Sequence, residues 1–259
     1  MKALISRALN KLGYEVRRKP ASDSTIQNVP ELGFVQFLDF YLGTQDLAHF
    51  VFIQIGANDG VSNDPIHDFA VKLELTGLIV EPLPACFDVL RKNYQGFENL
   101  SFENAAISTA DGQAQLFKIR KDLDFLQKVN QAASFNREHT IKLLRTYITK
   151  QAEKDVRRNF ARLKLSFEDC IEAETVQALT FRSLLKKHNL THYDFLQIDT
   201  EGFDFEVIKA SDLATYRPTL INYEHEHLTM SDRVASWDYL RNLGYKLFTH
   251  GGDTTAYAA

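Results

Sequence analysis

Residues 51–60 read VFIQIGANDG. The apolar run Val51–Ile55, interrupted only by Gln54, has the length of a strand buried on both faces. Gly56, Asn58 and Gly60 behind it mark a sharp turn at the strand's end. Glycines there let another group approach the backbone closely. The turn carries Asp59 and no lysine, so a phosphate is a poor candidate for that group.

Outward from this turn, short apolar runs alternate with helical patterns. TGLIVEP (76–82), LSFENAAIS (100–108), YDFLQID (193–199) and PTLINYEHE (218–226) suit strands. DPIHDFAVKLE (64–74), ACFDVLRKNY (85–94), TFRSLLKKHNL (180–190), DFEVIKAS (204–211) and RVASWDYLRNLGY (233–245) suit helices. KLFTHGGDTTAYA (246–258) reads as an antiparallel pair around a glycine turn. The alternation predicts an α/β fold, a mostly parallel sheet with helices on both faces and an antiparallel last strand. Residues 1–49 read as N-terminal helices and linker, with FVQFLDFYL (34–42) a helix, and residues 50–259 as one domain. A helical insertion at about 120–170 interrupts the pattern. Its segment 135–165 places Ile141, Leu144, Ile148, Phe160 and Leu163 at helical spacing among Lys142, Arg145, Lys150, Lys154, Arg157, Arg158 and Arg162. Such insertions sit near the carboxyl ends of the strands and shape the substrate side. The basic residues are able to meet an acidic substrate, although a solvated face is the more ordinary reading.

The chain of 259 residues has 44% hydrophobic and 25% charged residues, an ordinary balance for a globular protein. The net charge of −4 gives no electrostatic reason to expect nucleic acid. Cys86 and Cys170 stand in no metal or redox spacing and suit reduced thiols in a cytoplasmic protein. No stretch approaches the ~20 apolar residues of a membrane span. Residues 2–19 are basic and amphipathic, which permits a peripheral contact with the inner face of a membrane. A first helix packed on its own domain is the plainer reading.

Glu81 closes the second strand, where a carboxylate can accept both hydroxyls of an adenosine ribose. With Gly56 and Gly60, that points to an adenosine-type cofactor. A dinucleotide carries a pyrophosphate and disfavours nearby acids, yet Asp59 and Asp64 lie in and after the turn. S-adenosylmethionine carries a sulfonium and an ammonium, and acids favour it. The third glycine of a dinucleotide turn is missing, and no Gly-Lys-Ser/Thr follows to make a P-loop.

Several stretches resemble the FkbM family of S-adenosylmethionine-dependent methyltransferases: FIQIGANDG, GLIVEPLP, FENAAIS, YDFLQIDTEGFDFEVIK and LINYEHEHL. The similarity spans roughly residues 50–255 outside the insertion. It implies a class I, Rossmann-like fold with a seven-stranded sheet, and O-methylation of a sugar, glycan or glycosylated metabolite. It also implies that Gly56, Asn58 and Gly60 border the methionine part of the cofactor. Glu81, followed by Pro82, would hold the ribose, Asn104 and Ala105 would face the adenine, and Asp199 would lie beside the methyl group. Where such enzymes place an acid on the first strand for the cofactor's ammonium, this chain has Gln54.

Methyl transfer to an alcohol needs alignment and a base, or a metal that acidifies the hydroxyl. Candidates cluster at two strand ends: Asp199 and Glu201, then Glu224, His225, Glu226 and His227. Strand alternation would put His225 and His227 on one face and Glu224 and Glu226 on the other. His225 reads as the base, with Glu224 or Asp199 as its partner. Glu201 can instead stabilise the N-terminus of a helix EGFDFEVIK capped by Thr200. The His-x-His pair with nearby acids permits a divalent metal, with no ligand set assigned. Asp199-Thr200-Glu201-Gly202 stands where enzymes that methylate base amines carry Asn/Asp-Pro-Pro-aromatic, which speaks against nucleic acid. Two other functions stay open from sequence: an NAD(P)-dependent Rossmann oxidoreductase, and a non-catalytic binding module on the same fold.

Overall fold

A computed structural model of the chain describes residues 33–129 and 133–258. The amphipathic segment 2–19 and the linker 20–30 lie outside the described residues.

A seven-stranded sheet forms the centre. Its strands are β1 (Val51–Ile55), β2 (Thr76–Val80), β3 (Leu100–Glu103), β8 (Phe195–Ile198), β9 (Leu220–Glu224), β10 (Lys246–His250) and β11 (Asp253–Tyr257). Their order across the sheet is β10-β11-β9-β8-β1-β2-β3. All neighbours are parallel except β11, which runs antiparallel to both β9 and β10. The strand order reverses between β1 and β8, which opens the crevice at their carboxyl ends. Every residue of β1 and β8 is buried, as their unbroken apolar runs require.

Alternation divides the core into two layers. Ile53, Leu78, Leu196 and Ile221 pack under α6 (Phe181–Lys187), α7 (Asp204–Ala210) and α8 (Met230–Asn242). Phe52, Ile79, Phe195 and Leu220 pack under α1 (Phe34–Leu42), α2 (His67–Lys72) and α3 (Pro84–Asn93). Each fully buried side chain of this size contributes roughly 1.5–3 kcal/mol. The second face is not wholly apolar. Gln54, Gln197, Asn222 and Thr255 stand in register across β1, β8, β9 and β11, and Asn222 donates to Gln197 while Thr255 donates to Asn222.

The insertion holds more than helices. Beside the main sheet lies a second one, order β4-β7-β5-β6, formed by β4 (Ala106–Ile107), β5 (Gly112–Ile119), β6 (Ala133–Ser134) and β7 (Ile171–Leu179). β5 and β7 pair antiparallel from Gly112↔Ala178 to Ile119↔Ile171. The chain between them folds back as α4 (Arg137–Thr146), a π turn (Tyr147–Gln151) and α5 (Lys154–Arg162) over Ile119, Leu144, Tyr147, Ile148 and Cys170. The burial of both strands alternates, but their inward positions include Lys118 on β5 and Glu174 on β7, which pair with each other, so no alternating apolar run marks the ladder in the sequence. α5 buries none of its residues completely, and its Arg158 meets Asp155 in the open, so its charges form a solvated face. Among the described residues, no helix is long and apolar enough to cross a membrane.

Candidate functional site

The turn after β1 is built by glycine and by Glu81. Gly56 has φ +81°, and a Cβ there would fall 1.8 Å from the carbonyl oxygen of Asp199. Only glycine allows the turn to lie that close to the end of β8. The carboxylate of Glu81 accepts the N–H of Asn58 at 2.8 Å and that of Leu83 at 2.8 Å, tying β2 to the turn. Burial outweighs these two donors and pushes Glu81 up to about 8. Asp59 turns to its own loop, accepting from Val61 and Ser62. Burial opposes its ionisation, but the hydrogen bonds from Ser62 and Val61 prevail and hold its pKa low. The acid that reaches β1 is Asp64. Its Oδ2 accepts from Gln54 Nε2 at 2.9 Å, while Oδ1 accepts from the N–H groups of Ile66 and His67 at the start of α2. Gln54 Oε1 is buried with no hydrogen-bond partner.

A cleft opens above this turn, lined by Gly56, Asn58, Glu81, Pro82, Ala105, Ala133, Phe135, Asp199, Thr200 and Glu201 among others. A second cavity, against the start of α1, is lined by Gln197, Asp199, Glu224, Asp253 and Asn63 among others. Asp199 belongs to both. Among the described residues, neither lining includes a lysine or an arginine. Asp199 is reached by solvent through the cleft yet is closely surrounded by protein. That desolvation, with the charges of Asp253 and Asp64, raises its pKa.

Beyond Asp199 the chain makes a tight turn, with Glu201 at φ +51° and Gly202 at φ +92°. Asp204, fully buried, holds this turn by accepting from Thr200 Oγ1 and the N–H of Gly202. α7 therefore begins at Asp204, and Thr200 caps no helix. Glu201 is free to face the cleft, where burial and then the Asp199 and Asp204 charges push it up to about 8. The insertion clamps onto the same turn. Ser134 Oγ donates to the carbonyl of Glu201, Phe135 packs on Phe203 at 4.4 Å, and a Cβ on Gly202 would meet the His139 ring at 3.4 Å.

At the end of β9 the expected alternation fails. The N–H groups of His225 and Glu226 both donate to the Gly252 carbonyl, and the chain turns. His227 swings back so that its Nε2 lies 3.4 Å from Glu224 Oε1 and 3.3 Å from Glu201 Oε2. His139 Nε2 is buried without a hydrogen-bond partner, and its ring centroid is 5.1 Å from that of His227. His139, Glu201 and His227 can direct three ligand atoms within 4.8 Å of one another.

His225 is the chief correction. Its Nδ1 meets Thr254 Oγ1 at 2.9 Å and its ring abuts Trp237, with burial and the Arg233 charge holding its pKa down. It lines neither cavity, so the geometry does not place it as a base. Asn104 also turns away, donating to the carbonyls of Glu81 and Pro82, and leaves Ala105 on the cleft wall. Gly60 packs against Leu90 and Tyr94, below the cleft. Gln54 lies beneath the turn, outside both linings. Gly56, Asn58, Glu81, Pro82, Ala105, Asp199 and Glu201 come together in the first cleft, and Glu224 enters the second. Sequence reasoning missed His139 and the roles of Asp64, Asp204 and Asp253. His139 sits in a segment without a motif, and only the fold brings it to Glu201.

A seven-stranded sheet in this order, with one antiparallel strand and a glycine turn facing a carboxylate on the next strand, defines a class I methyltransferase. The family model described as "Methyltransferase FkbM domain" matches residues 54–247, and the chain belongs to that family. No curated protein matches the chain. Among solved structures, it is similar to the methyltransferase FkbM from Methylobacillus flagellatus at 10% identity and TM-score 0.45, over 84% of this chain and 46% of that one. The precorrin-6y C5,15-methyltransferase from Geobacter metallireducens shows 12% identity and TM-score 0.40, over 81% and 80% of the two chains. The N-terminal domain of human METTL16 in complex with SAH shows 14% identity and TM-score 0.41, over 99% and 81%.

Proposed function

We propose that this chain uses S-adenosylmethionine to methylate a hydroxyl of a sugar, glycan or glycosylated metabolite. One observation carries the choice of cofactor: carboxylates from Glu81, Asp199, Glu201, Glu224 and Asp253 line two cavities that share Asp199, and among the described residues neither lining holds a basic side chain. Such a site repels a pyrophosphate and attracts a cation, which disfavours the nicotinamide reading. When bound, the cofactor supplies an electrophilic methyl group.

The chain's own groups then divide the work. Glu81 is placed for ribose hydroxyls, and Ala105, Ala106, Ile107 and Leu116 give the cleft an apolar wall for a base. Asp199, shared by both cavities and with its proton affinity raised, takes the acceptor's proton. Glu201, on the cleft wall, and Glu224, on the wall of the second cavity, hold and orient the acceptor hydroxyl, with His227 against both carboxylates. Ala133 and Phe135 bring the insertion to the acceptor side. The hydroxyl-bearing sugar as acceptor class rests on the family resemblance. Transfer of radiolabelled methyl from S-adenosylmethionine to a panel of cellular glycans, with and without chelator, tests the proposal, alongside calorimetry with NAD. Label on glycan hydroxyls supports it. Label on no hydroxyl acceptor, or tighter binding of the dinucleotide, overturns it.

A further inference from the structure

We propose that His139, Glu201 and His227 form a binding site for a divalent first-row transition metal at the acceptor end of the cleft, with Glu224 as an adjoining ligand. The donors come from three separate elements: α4 of the insertion, the turn after β8 and the turn after β9. Their ligand atoms lie within 4.8 Å of one another. Glu201 Oε2 and His227 Nε2 are 3.3 Å apart, and His227 Nε2 and Glu224 Oε1 3.4 Å. An ion about 2.1 Å from each donor sets its ligands roughly 3 to 3.6 Å apart, so these two separations are already in range. The widest needs to close by about one ångström, which a small swing of an imidazole supplies.

Hydrogen bonding does not account for the convergence. Glu201 Oε2 touches His227 yet satisfies no hydrogen-bond geometry, and Glu224 Oε2 and His139 Nε2 are likewise buried and unpartnered. Several orphaned buried polar atoms in one corner are rare unless a further group completes them. Lys142, one turn along α4 from His139, is the opposing charge. Glu201 and Glu224, with Asp199 and Asp204 behind them, outnumber it.

Two imidazole nitrogens with one or two carboxylates select Mn²⁺, Co²⁺ or Zn²⁺ over Mg²⁺, which prefers oxygen donors and retained water. Three protein ligands leave a position open toward the cleft that Glu201 lines. Use of that position to orient and acidify the acceptor hydroxyl rests on the function proposed above, whereas occupancy of the site does not.

The test is titration of chelator-treated full-length protein with Co²⁺, followed by calorimetry and by visible absorption, and repeated with Zn²⁺, Mn²⁺ and Mg²⁺. The expected result is one Co²⁺ per chain with ligand-field bands, and weaker binding of Mg²⁺. His139→Ala and His227→Ala should each weaken Co²⁺ about 100-fold or more, while the exposed His49→Ala leaves it unchanged. His139→Gln and His227→Gln, checked by thermal unfolding without metal, serve where an alanine variant does not fold. Absence of saturable Co²⁺ binding, or binding unchanged in both histidine variants, overturns the site. Loss of methyl transfer to every hydroxyl with Co²⁺ binding intact would count against the acceptor reading and leave the metal site standing.

Discussion

Replacing Glu81 by Gln isolates the cost of the charge that the cleft keeps beside its glycine turn. Glu81 is 5% exposed, and burial, partly offset by the N–H groups of Leu83 and Asn58 and reinforced by Asp199, moves it from 4.5 to about 8. A carboxyl whose folded pKa is raised contributes stability that is whole below the unfolded value and is lost as pH rises through the folded one. The window therefore runs from about 4.5 to about 8. The full difference corresponds to about 5 kcal/mol, and about 3 kcal/mol of it disappears between pH 5.5 and 8. Glu81→Gln carries no charge and escapes that loss. It bears another penalty at every pH, because its amide oxygen serves only one of the two N–H donors. The unsatisfied N–H costs about 1–3 kcal/mol. By pH 5.5 the wild type has already lost about 1.4 kcal/mol, so the two should melt close together there, and by pH 8 the variant should melt above the wild type. With about 2–4 °C per kcal/mol in a chain of this size, the wild type loses roughly 6–12 °C more than the variant over that range. Scanning calorimetry of both proteins without cofactor at the two pH values reads this directly. Parallel melting curves would mean that the two N–H donors hold Glu81 ionised throughout, and the reasoning from burial would fail.

Asp199→Asn should lower kcat about 10²–10⁴-fold with a much smaller change in donor affinity, read by steady-state kinetics and calorimetry; an equal loss in both would make Asp199 a cofactor ligand only. His225→Ala should keep kcat within a few-fold and cost about 1 kcal/mol of stability through its lost Thr254 bond, seen as a lower Tm; a collapse of kcat in a folded variant would restore it as the base. Gly56→Ala forces a Cβ into the Asp199 carbonyl at positive φ, so soluble protein should melt several degrees lower and bind donor poorly; an unchanged Tm would contradict the close approach of the turn to β8.

The strands of the main sheet were legible because residues buried on both faces leave a continuous apolar run, and VFIQI and FLQI are such runs. The cleft floor was legible for a related reason. Gly56, Glu81 and Asp199 sit at strand ends, where backbone direction is set by the sheet and the side chain's position follows from its place in the run. Past the strand ends that inference loses its basis. Alternation put His225 and His227 on one face, but two consecutive N–H groups share the Gly252 carbonyl, and only His227 returns to Glu201 and Glu224. Likewise Glu201 reads as a helix-end acid until Asp204 takes over the turn and frees it. The residue types were visible in IDTEGFD and YEHEHL, but their directions depend on turns with positive φ and on partners distant in sequence. The insertion adds the part no local pattern could show. Ser134, Phe135 and His139 reach the Glu201–Gly202 turn only because β5 and β7 pair and fold the intervening chain back over it. A carboxylate-rich crevice that stands alone is electrostatically unfavourable, and each acid here answers by raising its proton affinity. That arrangement persists in a folded protein where cations relieve it. The function and the metal site proposed above answer that need, with a sulfonium cofactor on the Glu81 side and a cation held by His139 of the insertion and His227 of the turn after β9 on the other.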